Sequence, residues 1–198
     1  MNGDGQRLFA TGLRNPVGMA YEPITKRLWT TVNERDGLGE TVPPDYLTEV
    51  VDGAFYGWPY TYFGTYPDPT QMQINPEKTK KALTNSRVPN LAIDAHSVPL
   101  GLLFHSGNNI DDKYQSGAFV ARRGGVSRSE LTGYDLLFIP FENGYPTGVI
   151  EPFMTGFIVD QTKAEIYGRP VGLAEMNDGS ILLSDDVAGR IWRIRKSD

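Results

Sequence analysis

The chain has no cysteine and only two histidines in 198 residues. A disulfide framework, a thiol nucleophile and a thiolate metal site are all excluded. Basic residues are also short: 19 Lys and Arg stand against 24 Asp and Glu, a net charge of −5. Nucleic-acid binding normally needs a basic face, and this balance does not supply one. No apolar run approaches the ~20 residues of a membrane span. The start, Met1-Asn2-Gly3-Asp4-Gly5, has neither the basic residues nor the apolar stretch of a secretory leader. Also missing are a Gly-x-Ser-x-Gly elbow, a His-Glu-x-x-His pair and the Gly-Lys-Ser/Thr ending of a phosphate loop. What is plentiful is turn chemistry, with 22 Gly and 14 Pro in a chain that is 39% hydrophobic. These proportions describe a globular, loop-rich chain.

A repeat organises it. Asn15-Pro16-Val17-Gly18-Met19-Ala20, Val98-Pro99-Leu100-Gly101-Leu102-Leu103 and Arg169-Pro170-Val171-Gly172-Leu173-Ala174 share one pattern. Each copy is followed by a polar turn and a short β-rich run: 27–32, 117–121 and 180–184. A further run closes each copy at 46–51, 133–141 and 189–194, and another precedes each at 7–13, 88–94 and 149–157. Short runs of aromatic and β-branched residues bounded by Gly, Pro, Asn and Asp are strand chemistry. Only 75–83 suggests a helical turn or two. Four strands per unit, repeated, predict an all-β chain: a β-propeller of four-stranded antiparallel blades. The expected organisation is one partial domain over 1–198, with blade repeats at approximately 6–57, 88–141 and 149–196. A β-sandwich with coincidental Pro-Val-Gly triplets is the plainer alternative. Propellers close with roughly four to eight blades, so three imply half of a six-bladed ring. A homodimer or a missing N-terminal half would complete it.

Blade geometry sorts the polar residues. The residues before each repeat proline and those after the second strand open on one face. That brings Arg14, Asn15, Arg35, Asp36, His96, Arg122, Arg123, Arg169, Asp185 and Asp186 toward one channel mouth. Five arginines on an acidic chain suit a small polycarboxylate, because guanidinium binds carboxylate bidentately; ordinary rim ion pairs are the bland alternative. The 33–45 loop offers Asn33, Glu34, Asp36, Glu40 and Asp45, hard oxygen donors suited to Ca²⁺ but not in EF-hand spacing. His96 is a candidate base or ligand, and His105 reads as structural. The cluster Phe55-Tyr56-Gly57-Trp58-Pro59-Tyr60 could stack on a ring or pack between blades.

These residues carry a family resemblance. Gly12-Leu13-Arg14-Asn15-Pro16-Val17-Gly18, Asn33-Glu34-Arg35-Asp36-Gly37-Leu38-Gly39, Ala95-His96-Ser97-Val98-Pro99-Leu100-Gly101, Gly168-Arg169-Pro170-Val171-Gly172 and Ser184-Asp185-Asp186 together resemble the PQQ-dependent glucose/sorbosone dehydrogenases. The sorbosone branch and the C-terminal half of its six-bladed fold match best. The resemblance implies an oxidoreductase, active only within a complete ring, that passes hydride from an aldose or sugar aldehyde to Ca-bound PQQ, in the periplasm or outside the cell. It implies PQQ contacts at Arg14, Asn15 and Arg169, with cations at Arg122 and Arg123 able to meet a PQQ carboxylate. Calcium ligands fall among Arg35, Asp36 and Gly37. Two departures stand out: the family's base histidine belongs to the other half, and Arg123-Gly124-Gly125-Val126-Ser127-Arg128 replaces His-Gly-Ser-Trp-Asn-Arg. The competing class is a half propeller that binds Ca²⁺ or a small anion, or an interaction module, without turnover. A lactonase-type propeller would need an Asp/Glu/Asn channel set, and this one is Arg-rich. Nothing specifies the sugar or the electron acceptor.

Overall fold

A computed structural model describes residues 4–197, so Met1-Asn2-Gly3 of the leader reading lies outside the described residues. The first sheet contains β1 (Pro16–Tyr21), β2 (Leu28–Val32) and β3 (Asp45–Glu49). An excursion follows, with β4 (Thr61–Tyr62), β5 (Tyr66–Pro67), α1 (Pro69–Ile74) and α2 (Pro76–Asn85). The chain then returns as β6 (Leu91–Ile93), giving the sheet order β1-β2-β3-β6. The second sheet is built from β7 (Pro99–Phe104), β8 (Gly117–Arg122) and β9 (Asp135–Glu142), with β10 (Tyr145–Pro146) and β11 (Glu151–Met154) both paired to β9. A small hairpin, β12 (Ile158–Asp160) and β13 (Glu165–Ile166), leads into the third sheet of β14 (Pro170–Glu175), β15 (Ile181–Asp185) and β16 (Arg190–Ile194). The chain is all-β apart from short helices, in antiparallel propeller blades, as the repeat predicts.

The phase of the repeat differs from the expected one. The runs at 88–94 and 149–157 do not open the second and third units. They pair as β6 with β3 and as β11 with β9, closing the preceding blades. Residues 7–13 form no strand of a sheet; Thr11 makes one parallel bridge to Phe55. The 75–83 helical segment is present as α2, and α1 precedes it, started by Asp68 accepting from the Gln71 N–H at 2.9 Å.

Period-2 alternation explains the packing. Ala118 and Val120 of β8, with Leu137, Ile139 and Phe141 of β9, face Trp29 and Leu47 of the first blade. Phe119, Ala121, Leu136 and Phe138 face the third blade's Ile181 and Leu183. The middle blade is therefore buried on both faces, and its strands read as nearly continuous apolar runs. The repeat glycine serves the seams. A Cβ on Gly18 would collide with the Leu100 carbonyl, and one on Gly101 with the Val171 carbonyl. Neighbouring inner strands thus lie side by side, level at the motif, which puts the N-terminal ends of β1, β7 and β14 at one mouth.

Candidate functional site

Three matching hydrogen bonds repeat at that mouth: Asn33 N–H to the Asn15 carbonyl (3.1 Å), Arg123 N–H to Val98 (2.9 Å) and Asp186 N–H to Arg169 (3.0 Å). The start of each inner strand is thereby tied to the end of the second strand of its own blade. Loops from different blades touch here. Asp45 accepts from Glu34 N–H at 2.8 Å and from Val98 N–H at 2.9 Å, joining the 33–36 loop to the 96–98 loop. That second loop holds His96 and Val98 at φ of +61° and +55°. For a β-branched residue such a backbone is a strained outlier that its surroundings must enforce.

The rim arginines fall into two classes. Arg122 is buried and forked onto Asp135 at 2.6 and 2.7 Å, with a third bond to Asp94 at 2.7 Å. Burial works against its charge, but Asp135 and Asp94 outweigh that and hold its pKa above the usual range. Arg123 pairs with Asp186 at 2.8 Å, and Arg35 with Asp68 at 2.6 Å. For these three, local carboxylates take the role expected of a ligand. Arg14 and Arg169 have no carboxylate partner among the described residues. Arg14 donates to the carbonyls of Asn33 (3.1 Å) and Glu34 (2.9 Å) and lies 5.7 Å from the Trp58 ring centre. Arg169 reaches the Tyr134 hydroxyl at 3.4 Å and lies over that ring at 5.4 Å, while its buried Nε has no partner. Asn15 is exposed beside Arg14.

In the 35–37 loop, Arg35 Nε donates to the Asp36 carbonyl at 3.1 Å, and the Asp36 carboxylate meets His96 Nδ1 at 2.8 Å. The Arg35 and Gly37 carbonyls accept no hydrogen bond among the described residues, so they are the oxygens there that could meet a cation. No three His, Asp or Glu side chains gather as a metal cluster among the described residues. His96 is buried, with Nε2 on the Gly39 carbonyl at 2.8 Å. Both ring nitrogens are thus occupied by contacts within the protein, and neither is open to a ligand.

The sequence reading offers Glu34 only as a loop oxygen donor and gives Arg128 no role at the site. Glu34 is buried, and that burial, with Asp45 beside it, raises its pKa to about 7 against the pull of Arg14 and Arg35. The hint was its place beside the second-strand end, but burial cannot be read from one residue. Arg128 also lacks a carboxylate partner among the described residues: Nη1 reaches the Ala95 carbonyl at 3.5 Å, its buried Nε has no partner there, and it lines a cavity of about 310 Å³ with Thr41, Asp94 and Ile150.

A model of the TrAA12-like family matches residues 2–197. An uncharacterised protein of Borreliella burgdorferi is 32% identical over 194 residues, covering 96% of this chain and 48% of its own length. Among solved structures, the calcium structure of a Trichoderma reesei carbohydrate-active enzyme of family AA12 superposes with a TM-score of 0.77 at 23% identity, over 95% of this chain and 53% of that one. The holo form of the pyranose dehydrogenase PQQ domain from Coprinopsis cinerea gives 0.72 at 21%, over 94% and 55%. At these identities the structures establish the propeller fold. The chain spans about half the length of the relatives it matches.

Proposed function

The chain belongs to the TrAA12-like family, and on that premise we propose that it forms the cofactor-holding half of a PQQ-dependent oxidoreductase acting on an aldose or a sorbosone-like sugar aldehyde. The observation that carries the reading is the pair of guanidiniums at the mouth, Arg14 and Arg169, left without carboxylate partners where Arg35, Arg122 and Arg123 are neutralised. A polycarboxylate cofactor fits that pair, and the orphaned Arg169 Nε is a donor awaiting an acceptor. When bound, PQQ supplies the hydride acceptor and Ca²⁺ polarises its quinone. Arg14 and Arg169 would hold its carboxylate groups, their guanidiniums resting on the Trp58 and Tyr134 rings. Asn15 would offer its carboxamide to the same ligand, and the Arg35 and Gly37 carbonyls would supply oxygens to the cation. His96 positions the loop by clamping Asp36 and Gly39. Action in the periplasm or outside the cell is part of the same reading; no helix is long and apolar enough to cross a membrane among the described residues.

Dye reduction with PQQ, Ca²⁺ and a panel of aldoses, measured on a completed ring, tests this; reduction by at least one sugar is expected, and none from a stably assembled, cofactor-loaded ring rejects it. A second reading, binding without turnover, is favoured by one observation. Arg123, which stands where relatives of the sorbosone branch carry a histidine, is tied to Asp186. Calorimetric binding with no dye reduction selects that reading.

A further inference from the structure

We propose that Asp68, carried by the helical excursion between β3 and β6, is a positioning residue for the cation loop at 35–37. It holds Arg35 in place and cancels that guanidinium's charge beside the loop oxygens. The inference rests on the cofactor reading above and extends it to a residue that no blade supplies. Asp68 is only 2% exposed. Its backbone N–H donates to the Tyr60 carbonyl at 2.9 Å, and its Oδ1 accepts from the Gln71 N–H that starts α1. Its Oδ2 accepts from Arg35 Nη1 at 2.6 Å, and the same guanidinium donates from Nε to the Asp36 carbonyl at 3.1 Å. The tie therefore runs from α1 through Asp68 and Arg35 to the Asp36 carbonyl. In sequence that carbonyl lies between those of Arg35 and Gly37, the two left without a donor among the described residues.

The loop needs such a tie. Gly37 and Gly39 stand at φ of +88° and +130°, and glycines give a loop many alternative conformations. A Cβ on Gly37 would lie 3.7 Å from Arg35 Nη2, so the guanidinium lies along the loop and not away from it. His96 clamps the loop from the second blade, through the Asp36 carboxylate and the Gly39 carbonyl. Asp68 is its counterpart from the excursion. Charge adds a second requirement. A guanidinium beside carbonyls that would meet a divalent cation repels that cation, most strongly where water is partly excluded. The Arg35 side chain is 26% exposed, so solvent screens it only in part, and the Asp68 carboxylate supplies the rest of the compensation. Helix capping alone would be a smaller role. Asparagine caps as well as aspartate, so Asp68→Asn separates the carboxylate's charge from its cap.

The experiment uses the 198-residue chain and two readouts. One is metal-free: the Arg35 Nε–H resonance in ¹⁵N NMR, identified by its loss in Arg35→Gln. It is expected to exchange slowly in the wild type and to vanish into solvent exchange in Asp68→Asn. The other is calorimetric titration of Ca²⁺ with PQQ present. Groups that orient metal ligands from behind are worth about ten- to a hundredfold in affinity, and Asp68→Asn should weaken calcium binding by at least the lower figure. Asp68→Asn combined with Arg35→Gln removes both charges and should bind calcium more tightly than Asp68→Asn alone. A merely structural Asp68 gives no such recovery. Arg35→Lys is an independent arm on a more exposed residue. It keeps the charge pair but lacks the planar fork that bridges Asp68 and the Asp36 carbonyl, so calcium binding should fall while circular dichroism is kept. An Arg35 resonance unmoved by Asp68→Asn, wild-type calcium affinity in that variant or in Arg35→Lys, or a double variant no better than the single would each overturn the proposal alone. A wild type that takes up no calcium with PQQ present overturns the cofactor reading and this proposal with it.

Discussion

The middle blade and its two flanking blades share a repeat but spend their side chains differently. The middle blade is buried on both faces, and its rim arginines, Arg122 and Arg123, are each answered by carboxylates. The flanking blades each bury one face; of their rim arginines, Arg35 is paired with Asp68, while Arg14 and Arg169 make no ion pair among the described residues. The difference teaches that position in a repeat brings a cation to the mouth but does not assign its task. Neighbouring acids decide between a structural arginine and one available to a ligand.

Arg122→Ala should sharpen that contrast most. It leaves Asp135 buried and unpaired, and the expected loss is about 3–5 kcal/mol in urea denaturation. The Asp94 arm adds little, because that carboxylate is mostly exposed. A loss under 1 kcal/mol would break the distinction between the classes.

Glu34 gives the next effect, read as pH dependence. Its folded pKa of about 7 lies above its ordinary value of 4.5, so the folded chain keeps this proton to higher pH than the unfolded chain. Stability from this group is complete below about pH 4.5 and is lost as pH rises through 7, up to about 3 kcal/mol. Asp45, raised by burial, acts in the same direction. Glu34→Gln should flatten the difference between pH 5 and pH 8 measured in EDTA; an unchanged slope would refute the assignment.

The seams supply the third effect. Gly101→Ala forces a methyl against the Val171 carbonyl and should cost roughly 1–3 kcal/mol. Gly172→Ala meets only a movable hydroxyl and should stay within about 0.5 kcal/mol. Equal melting shifts for the two would mean that the flank is not open.

Much of this was legible in the residues. The three Pro-x-Gly motifs placed the inner strands, and runs such as 117–121 and 189–194 became β8 and β16 within a residue. The phase of the unit was not legible, because a strand's neighbours in sequence do not say which sheet edge it joins; β6 turned back to β3 instead of forward to β7. The pairing of each inner-strand start with the end of the second strand was legible from the repeat. The fate of its arginines was not, since the partners are distant in sequence: Asp186 lies 63 positions from Arg123 and Asp68 lies 33 from Arg35. His96 shows the same limit. Its place at the rim was correct, but the Asp36 and Gly39 contacts that occupy both its nitrogens belong to another blade.

Titration calorimetry of PQQ with Ca²⁺ on the wild type, Arg14→Ala, Arg169→Ala and Arg123→Ala is the most direct test. Losing a charged hydrogen bond should weaken binding by about 1–3 kcal/mol, roughly ten- to a hundredfold, in each of the first two variants. Arg123→Ala should bind as the wild type does. Undiminished affinity in both Arg14→Ala and Arg169→Ala, or an equal loss in Arg123→Ala, would contradict the division of the rim on which the functional reading stands.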